Sequence, residues 1–201
     1  MSGTASAGDF PAWDFIVALH GRPVVREACL ALQDRRGADV IVLLALVHDA
    51  SCGAAPPGED RLRRALARIA PWRDAAVLPL RALRRSLKDW RFAPVPADDE
   101  PAGDGASAGE AEAARQAVGA AERAAERAAL SAFVRAMEGA ASGTGEDDRL
   151  AVASRSIATY WRIAGFAQDG ADRDSLATIL AQAFPEHAGR AASAVERDFS
   201  A

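Results

Sequence analysis

The chain has 201 residues, of which 50% are hydrophobic and 26% are charged, and its formal net charge is −4. This size and composition are typical of a globular protein of one domain or slightly more, with room for a sizeable apolar core. No apolar run reaches the roughly 20 residues that a membrane-spanning helix needs, so we expect no membrane insertion. The two cysteines are too few for a disulfide framework, which favours a cytoplasmic location.

The first two predicted helices are bracketed by prolines and glycines. Residues 1–9 are small and polar and indicate a disordered tail. One helix should begin at Pro11 and end before Gly21, because proline suits a first helical position and glycine suits a helix end. By the same reasoning, a second helix should run from Pro23 to just before Gly37.

The longest apolar run of the chain follows, from Asp39 to His48, with the sequence D-V-I-V-L-L-A-L-V-H. It is longer than a typical strand of about 5–6 residues, and its leucines and alanine favour a helix. Asp39 is a suitable N-cap. Because a helix that is apolar on all sides belongs in a core, we predict an all-α fold, an irregular helical bundle packed around a buried central helix at about 39–50.

Positive charge is concentrated between Arg61 and Arg91. This segment holds ten cations and only two acids, Asp74 and Asp89, so it carries +8 while the rest of the chain carries −12. Such an asymmetry indicates either an anionic partner or a basic segment that docks on acidic parts of its own chain.

Two prolines divide this basic segment. Pro71 and Pro79 each remove a backbone donor and clash with the preceding turn, so we predict a short helical turn at 71–77 and a separate helix at 79–90. The apolar residues expected to face inward in that helix are Leu80, Leu83 and Leu87. The cations expected to lie together on its exposed face are Arg81, Arg84, Arg85 and Lys88.

The second half begins with a change of composition. Residues 93–109 are rich in Pro, Ala, Asp and Gly and indicate a flexible acidic linker, and 139–145 indicate a second break. Between them, 110–138 predict one long alanine-rich helix. Three more helices follow: one near 146–166, one capped by Asp172 or Asp174, and one that begins at Pro185. The predicted parts are therefore 10–92 and 110–201, with the second packing on the first as one domain.

Three stretches of the N-terminal half resemble a known family. They are W-D-F-I-V-A-L-H-G-R-P-V-V at 13–25, E-A-C-L-A-L-Q-D-R-R-G-A-D-V at 27–40 and W-R-D-A-A-V-L-P-L-R-A-L-R-R-S-L-K at 72–88. They are similar to an uncharacterised family of small, all-helical bacterial proteins, a domain of unknown function, mainly over residues 10–90. The resemblance implies a bacterial, cytoplasmic, helical protein and brings no activity or catalytic residue with it.

The best candidate site is the basic helix. Arginine forks bind phosphate or carboxylate bidentately, and Trp72 beside them offers a stacking surface for a base. The alternative is a solvated helix face with Trp72 as a core anchor. The candidate anion-binding residues are Arg73, Arg81, Arg84, Arg85 and Lys88.

A second candidate is a pocket beside the central helix, because helical bundles house ligands between their helices. The residues proposed for it are Trp13, His20, His48, Trp72 and Trp161. His48 and Cys52 lie four residues apart, so one helix face presents both, which allows a zinc site or a cysteine nucleophile with a histidine base. Their spacing matches no common zinc pattern, so we expect no metal site, and no motif indicates a cofactor.

Two functional hypotheses follow. The first is a non-enzymatic helical binding or adaptor protein whose basic helix contacts an anionic partner, either nucleic acid, an acidic protein or its own 98–126 region. The second is a small-ligand-binding or enzymatic domain with a pocket beside the central helix. No catalytic motif is present, so the sequence favours the first hypothesis, and it leaves the oligomeric state open.

Overall fold

A computed structural model of the protein describes residues 10–88, 108–138 and 148–200. Within these ranges the chain forms helices and no β-strand, so the predicted all-α class is confirmed. The helices are α1 (Pro11–His20), α2 (Pro23–Arg36), α3 (Val40–Ser51), α4 (Glu59–Trp72), α5 (Leu78–Lys88), α6 (Ala108–Met137), α7 (Arg149–Ala164), α8 (Gly170–Ala183) and α9 (Ala191–Phe199). A π-helical segment, Arg73–Val77, joins α4 to α5, and a 3-10 segment, Pro185–Arg190, precedes α9.

The chain divides into two compact units. The first comprises Met1–Leu66 and Phe133–Ala201, and the second comprises Ala67–Ala132. The first unit thus combines helices from both ends of the sequence. These boundaries differ from those of the predicted parts, 10–92 and 110–201.

The core of the first unit is built around α3. Its residues from Val42 to Val47 are all buried, and the helix packs against α1, α2, α7 and α8. Asp39 caps it, because its carboxylate accepts the Ile41 N–H at 3.1 Å, while the Asp39 N–H donates to the Tyr160 hydroxyl at 2.8 Å. The predicted buried central helix and its N-cap are confirmed.

A buried carboxylate joins α2 to α8 in the same unit. Asp172 is only 1% exposed and accepts hydrogen bonds from Arg35 Nε at 2.9 Å and from Arg36 Nε at 2.5 Å. The prediction that Asp172 or Asp174 caps α8 is wrong. Asp169 is the N-cap, because it precedes the first turn and its carboxylate accepts the Asp172 N–H at 2.8 Å.

The second unit corrects the predicted interruption at the two prolines. Helix α4 continues through Pro71 to Trp72, and the π-helical segment leads directly into α5. In this segment the Leu78 N–H donates to the Arg73 carbonyl, five residues back. We attribute the continuity to this wider turn, which relaxes the tight spacing that makes a proline such as Pro79 clash in an α-helix.

One apolar cluster lies within the second unit. Val77, Ala125 and Ala129 are buried together, and Ala76 and Leu80 pack against them. Helix α6 contributes only alanines to this cluster, so its backbone lies close to the segment that joins α4 and α5. The predicted long helix is confirmed, although it begins at Ala108 and not at residue 110.

Several predictions fall outside the described residues: the tail at 1–9, residues 93–107 of the linker predicted at 93–109, and the break at 139–145. The last two residues of that predicted linker belong to α6. Among the helices that are described, none is both long and apolar enough to cross a membrane.

Candidate functional site

The basic helix α5 meets two glutamates of α6. Arg81 donates from Nε to Glu122 at 3.3 Å and from Nη2 to Glu126 at 2.6 Å. Arg84 forms a two-point ion pair with Glu122, through Nε and Nη2. Because Glu122 and Glu126 are four residues apart, one face of α6 presents both carboxylates to α5. We call these four residues the α5–α6 ion cluster.

Much of this cluster is withdrawn from water. Arg81 is 8% exposed and Glu122 is 5% exposed, whereas the side chain of Arg84 is 44% exposed. The hydrogen bond to Glu122 is the main cause of a raised pKa for the Arg84 guanidinium. Burial of an ion pair is favourable only while both partners are present, since loss of one leaves an uncompensated charge in the interior.

The expected orientation of α5 is therefore wrong in two places. Arg81 was expected on the exposed face and is buried, while Leu83 was expected to lie inward and is 45% exposed. The side of α5 that faces α6 includes Leu80, Arg81 and Arg84. The helix is rotated relative to the expectation because α6 offers carboxylates and alanines, which suit long arginines better than a row of leucines.

The remaining cations of the predicted set occupy different environments. Arg73 is half-buried in the π-helical segment. Arg85 and Lys88 are exposed on α5. The structure thus joins Arg81 and Arg84 through Glu122 and leaves Arg84, Arg85 and Lys88 at the surface.

The same stretch exposes apolar side chains. Trp72 is 47% exposed, and Leu78 and Leu83 are exposed as well. The Trp72 indole N–H donates to the Ala125 carbonyl at 2.9 Å, so the ring is anchored to α6 along one edge while much of its surface faces solvent. Trp72 is therefore neither a buried core anchor nor a freely rotating surface residue.

The pocket residues predicted in the first unit have separate surroundings. Trp161 is buried, with the rings of Phe166 and Phe199 at 4.9 and 6.0 Å from its own. Trp13 and His20 are half-buried, and burial, followed by the charge of Arg26, lowers the pKa of His20. The lowered pKa favours the neutral form of the His20 imidazole.

None of these residues lines the cavities described in the first unit. The larger of these, about 370 Å³, is an open groove between α8 and α9, and the Arg173–Glu196 ion pair belongs to its lining. The smaller, about 90 Å³, lies beside Asp148 and Arg190. The placement of the predicted pocket residues in the first unit does not favour a shared ligand site.

His48 lies between two polar side chains. Its Nε2 lies 3.5 Å from Cys52 Sγ, and its Nδ1 lies 3.4 Å from the Asp49 carboxylate. The Phe15 ring packs edge-on against it at 5.3 Å. The i, i+4 spacing of His48 and Cys52 therefore does bring their side chains together.

The second cysteine of the chain, Cys29, lies in a different environment. Cys29 is buried, and burial raises the pKa of its thiol to about 12. In the described part of the chain, no three or more His, Cys, Asp or Glu residues are grouped so that they could hold a metal ion.

Sequence reasoning missed two arrangements. From the sequence, Glu122 and Glu126 were considered only as members of the acidic 98–126 region. Asp172 was considered only as a candidate helix cap. The usable signal for the first was the i, i+4 spacing of two glutamates on a helix whose other residues are mainly alanine. No local signal marked Asp172, because its arginine partners lie more than 130 residues away.

Comparison with known proteins gives one match. Neither the curated proteins nor the solved structures contain a match to the chain. A family model described as "Protein of unknown function (DUF2390)" matches residues 11–133, which begin at the first residue of α1 and end within α6. The match covers more than half of the 201 residues and confirms the resemblance found in the N-terminal half, so the chain belongs to the DUF2390 family.

Proposed function

We propose that this protein is a non-enzymatic helical binding protein that uses residues 72–88 to contact an acidic partner protein. The observation that carries the proposal is the combination of exposed apolar and exposed cationic side chains on this one stretch. The apolar members are Trp72, Leu78 and Leu83, and the cationic members are Arg84, Arg85 and Lys88. We call this set the α5 surface.

The chemistry of the α5 surface is that of a protein interface. Tryptophan and arginine are enriched among the residues that dominate binding energy, and a polar rim around exposed apolar groups is typical of such sites. Trp72 is already held by its hydrogen bond to Ala125, so little side-chain entropy remains to be lost when a partner covers it.

The local charge of the proposed contact stretch supports an acidic partner. Residues 72–88 include five cations and one carboxylate, a net charge of +4, whereas the whole chain carries −4. Complementary charge mainly speeds association and selects among partners, while the apolar groups provide the affinity.

A protein partner is favoured over nucleic acid by the apolar members of the α5 surface. Leu78 and Leu83 offer nothing to a sugar-phosphate backbone but suit an apolar protein side chain. We also propose a bacterial cytoplasmic location, which rests on the sequence resemblance.

The test is site-specific photo-crosslinking in cells that make the full chain. A photoreactive phenylalanine analogue replaces Leu83, and a control variant carries it at Leu30, which is 43% exposed on α2 of the first unit. We expect a covalent protein complex from position 83 and not from position 30. Mass spectrometry of the crosslinked peptide should identify an acidic surface on the partner.

A second arm tests the role of charge. The double reversal Arg85→Glu with Lys88→Glu should remove the crosslink from position 83 without changing the helical circular dichroism, because exposed charges contribute little to folding. A crosslink that persists after the reversal contradicts an acidic partner. A product that contains nucleic acid, or equal labelling from positions 83 and 30, contradicts the proposal.

A further inference from the structure

The C-terminal end of α3 places three reactive groups in a row. The Cys52 sulfur lies 3.5 Å from His48 Nε2, and His48 Nδ1 lies 3.4 Å from the Asp49 carboxylate. A proton on Nδ1 points at the carboxylate and leaves the Nε2 lone pair directed at the thiol. The carboxylate thus selects the tautomer in which the imidazole can accept the thiol proton.

The two cysteines differ in access. Cys52 is exposed, while Cys29 is buried and its pKa is raised to about 12, so that its thiol is inert. The sequence contains no other cysteine. Only Cys52 combines exposure with a neighbouring base, which is the environment of a reactive thiol.

Groups on α3 and α7 stabilise the charges that would form if the thiol proton passed to His48. His48 lies in the last turn of α3, where the carbonyl end of the helix stabilises a cation. From α7, the Arg149 guanidinium donates to the carbonyl of Ser51, the residue before Cys52, at 2.8 Å. The Asp49 carboxylate then faces the imidazolium and balances part of its charge.

We propose that Cys52 is a thiol-modification site that reacts with small disulfides, with His48 as its base and Asp49 as a positioning residue. The thiol proton passes to His48 Nε2, and the thiolate attacks one sulfur of R–S–S–R. A new bond forms between Cys52 Sγ and that sulfur, the original S–S bond breaks, and the released R–S⁻ takes the proton from the imidazolium. The Cys52 sulfur is oxidised and the departing sulfur is reduced.

Backbone geometry favours disulfide exchange over acyl transfer. The N–H groups of Cys52, Gly53 and Ala54 donate at 3.0 Å to the carbonyls of His48, Ala50 and Asp49 respectively. These donors are therefore engaged and do not form an oxyanion hole, which acyl transfer requires. Disulfide exchange needs no such donors, because the negative charge passes from one sulfur to another.

The adduct should persist until an external thiol removes it. Cys29 is buried and cannot act as a resolving thiol in the folded chain. The inferred site is thus a reversible modification site, and it is separate from the α5 surface in sequence and in compact unit.

The test uses the full, reduced chain and oxidised glutathione as the probe, followed by intact-mass and peptide-mapping mass spectrometry near pH 7. We expect one adduct, on Cys52, that forms at least about tenfold faster than on the same cysteine in the urea-unfolded chain, since an adjacent base raises the thiolate fraction. Equal rates in the folded and unfolded chains would overturn the proposal without the need for a variant.

Variants then assign the roles. His48→Gln should slow the reaction about tenfold and change the shape of its rate–pH profile, while the matched control His187→Gln should leave both unchanged. Asp49→Asn should cause a smaller loss. Labelling of Cys29 reports unfolding of any variant. A folded His48→Gln protein that reacts like wild type, with the wild-type pH profile, contradicts the assignment of His48.

Discussion

The two compact units are stabilised by different kinds of contact. In the first unit, α3 is surrounded by other helices and buries six consecutive apolar residues from Val42 to Val47. In the second unit, α5 and the alanine-rich α6 are joined by a small apolar cluster and by the α5–α6 ion cluster of Arg81, Arg84, Glu122 and Glu126.

This difference shows which kind of packing can be predicted from a sequence alone. Apolar burial is non-directional, so a run of apolar residues indicates a core without any knowledge of its neighbours. The sequence does not indicate which arginine is buried, because a buried arginine is stable only where another helix supplies a carboxylate within ion-pair distance. Replacing a buried side chain by alanine should therefore lower the stability of both units, but for different reasons: an unpaired charge in the second unit and a cavity in the first.

The largest change in the free energy of unfolding is expected in the α5–α6 ion cluster. Arg81→Ala should lower the free energy of unfolding by about 3–5 kcal/mol, because it leaves the buried Glu122 carboxylate without one of its two cations. The control is Lys88→Ala on the exposed part of the same helix, with an expected change within about 0.5 kcal/mol. Urea denaturation followed by circular dichroism measures both. A cost below 1 kcal/mol for Arg81→Ala would show that the cluster does not stabilise the second unit.

The next effect tests the apolar core of the first unit. Leu44→Ala should cost about 2–5 kcal/mol, because Leu44 is fully buried in α3 and its loss leaves a cavity. The matched control is Leu30→Ala on α2, where the leucine is exposed and a change within about 0.5 kcal/mol is expected. Equal costs at the two positions would contradict the central role of α3.

A smaller change, an increase in stability, is expected for a substitution in α6. Gly119→Ala should stabilise the protein by about 0.5–1 kcal/mol, because alanine restricts the unfolded chain and favours a helix. The added methyl would meet only flexible side-chain atoms, Arg123 Nη1 at 3.4 Å and Arg84 Cδ at 3.9 Å.

Gly37→Ala is the contrasting control for that prediction. Gly37 has a φ of 69° at the end of α2, where an alanine is strained, so this change should destabilise the protein. Thermal unfolding measures both changes: the melting temperature should rise for Gly119→Ala and fall for Gly37→Ala. A loss of stability in Gly119→Ala would indicate that α6 packs more tightly at this point than the structure describes.

The smallest effect concerns the cap of α8. The backbone N–H of Asp172, and secondarily the charges of Arg36 and Arg35, hold the pKa of Asp169 below its ordinary value of 3.8. Since the folded state has the lower pKa, the contribution of Asp169 is complete above 3.8 and is lost as the pH falls through the lowered value. Asp169→Asn should therefore weaken the acid-induced loss of stability, whereas Asp174→Asn, at an exposed site on α8, should not. Denaturation midpoints between pH 2 and 6 test this.

Local features of the sequence predicted most helices well. The proline and glycine brackets gave α1 and α2, and Asp39 gave the start of α3. The breaks predicted at the two prolines were wrong, because Pro71 lies inside α4 and a π-helical segment leads directly into the helix that contains Pro79. Within the candidate sites, the i, i+4 spacing of His48 and Cys52 correctly placed their side chains together, since both positions lie on consecutive turns of the same helix end.

The sequence alone determined the helical class, the position of the buried helix α3 and the segment that carries the excess positive charge. Each of these depends on residues that are neighbours along the chain, where periodicity, capping and local charge act directly. Only the tertiary structure decided that Arg81 is buried and Leu83 exposed, that Arg35 and Arg36 hold Asp172, and that residues 1–66 and 133–201 form one unit. These depend on partners far apart in sequence, because the favourable side of a helix is chosen by the groups packed against it.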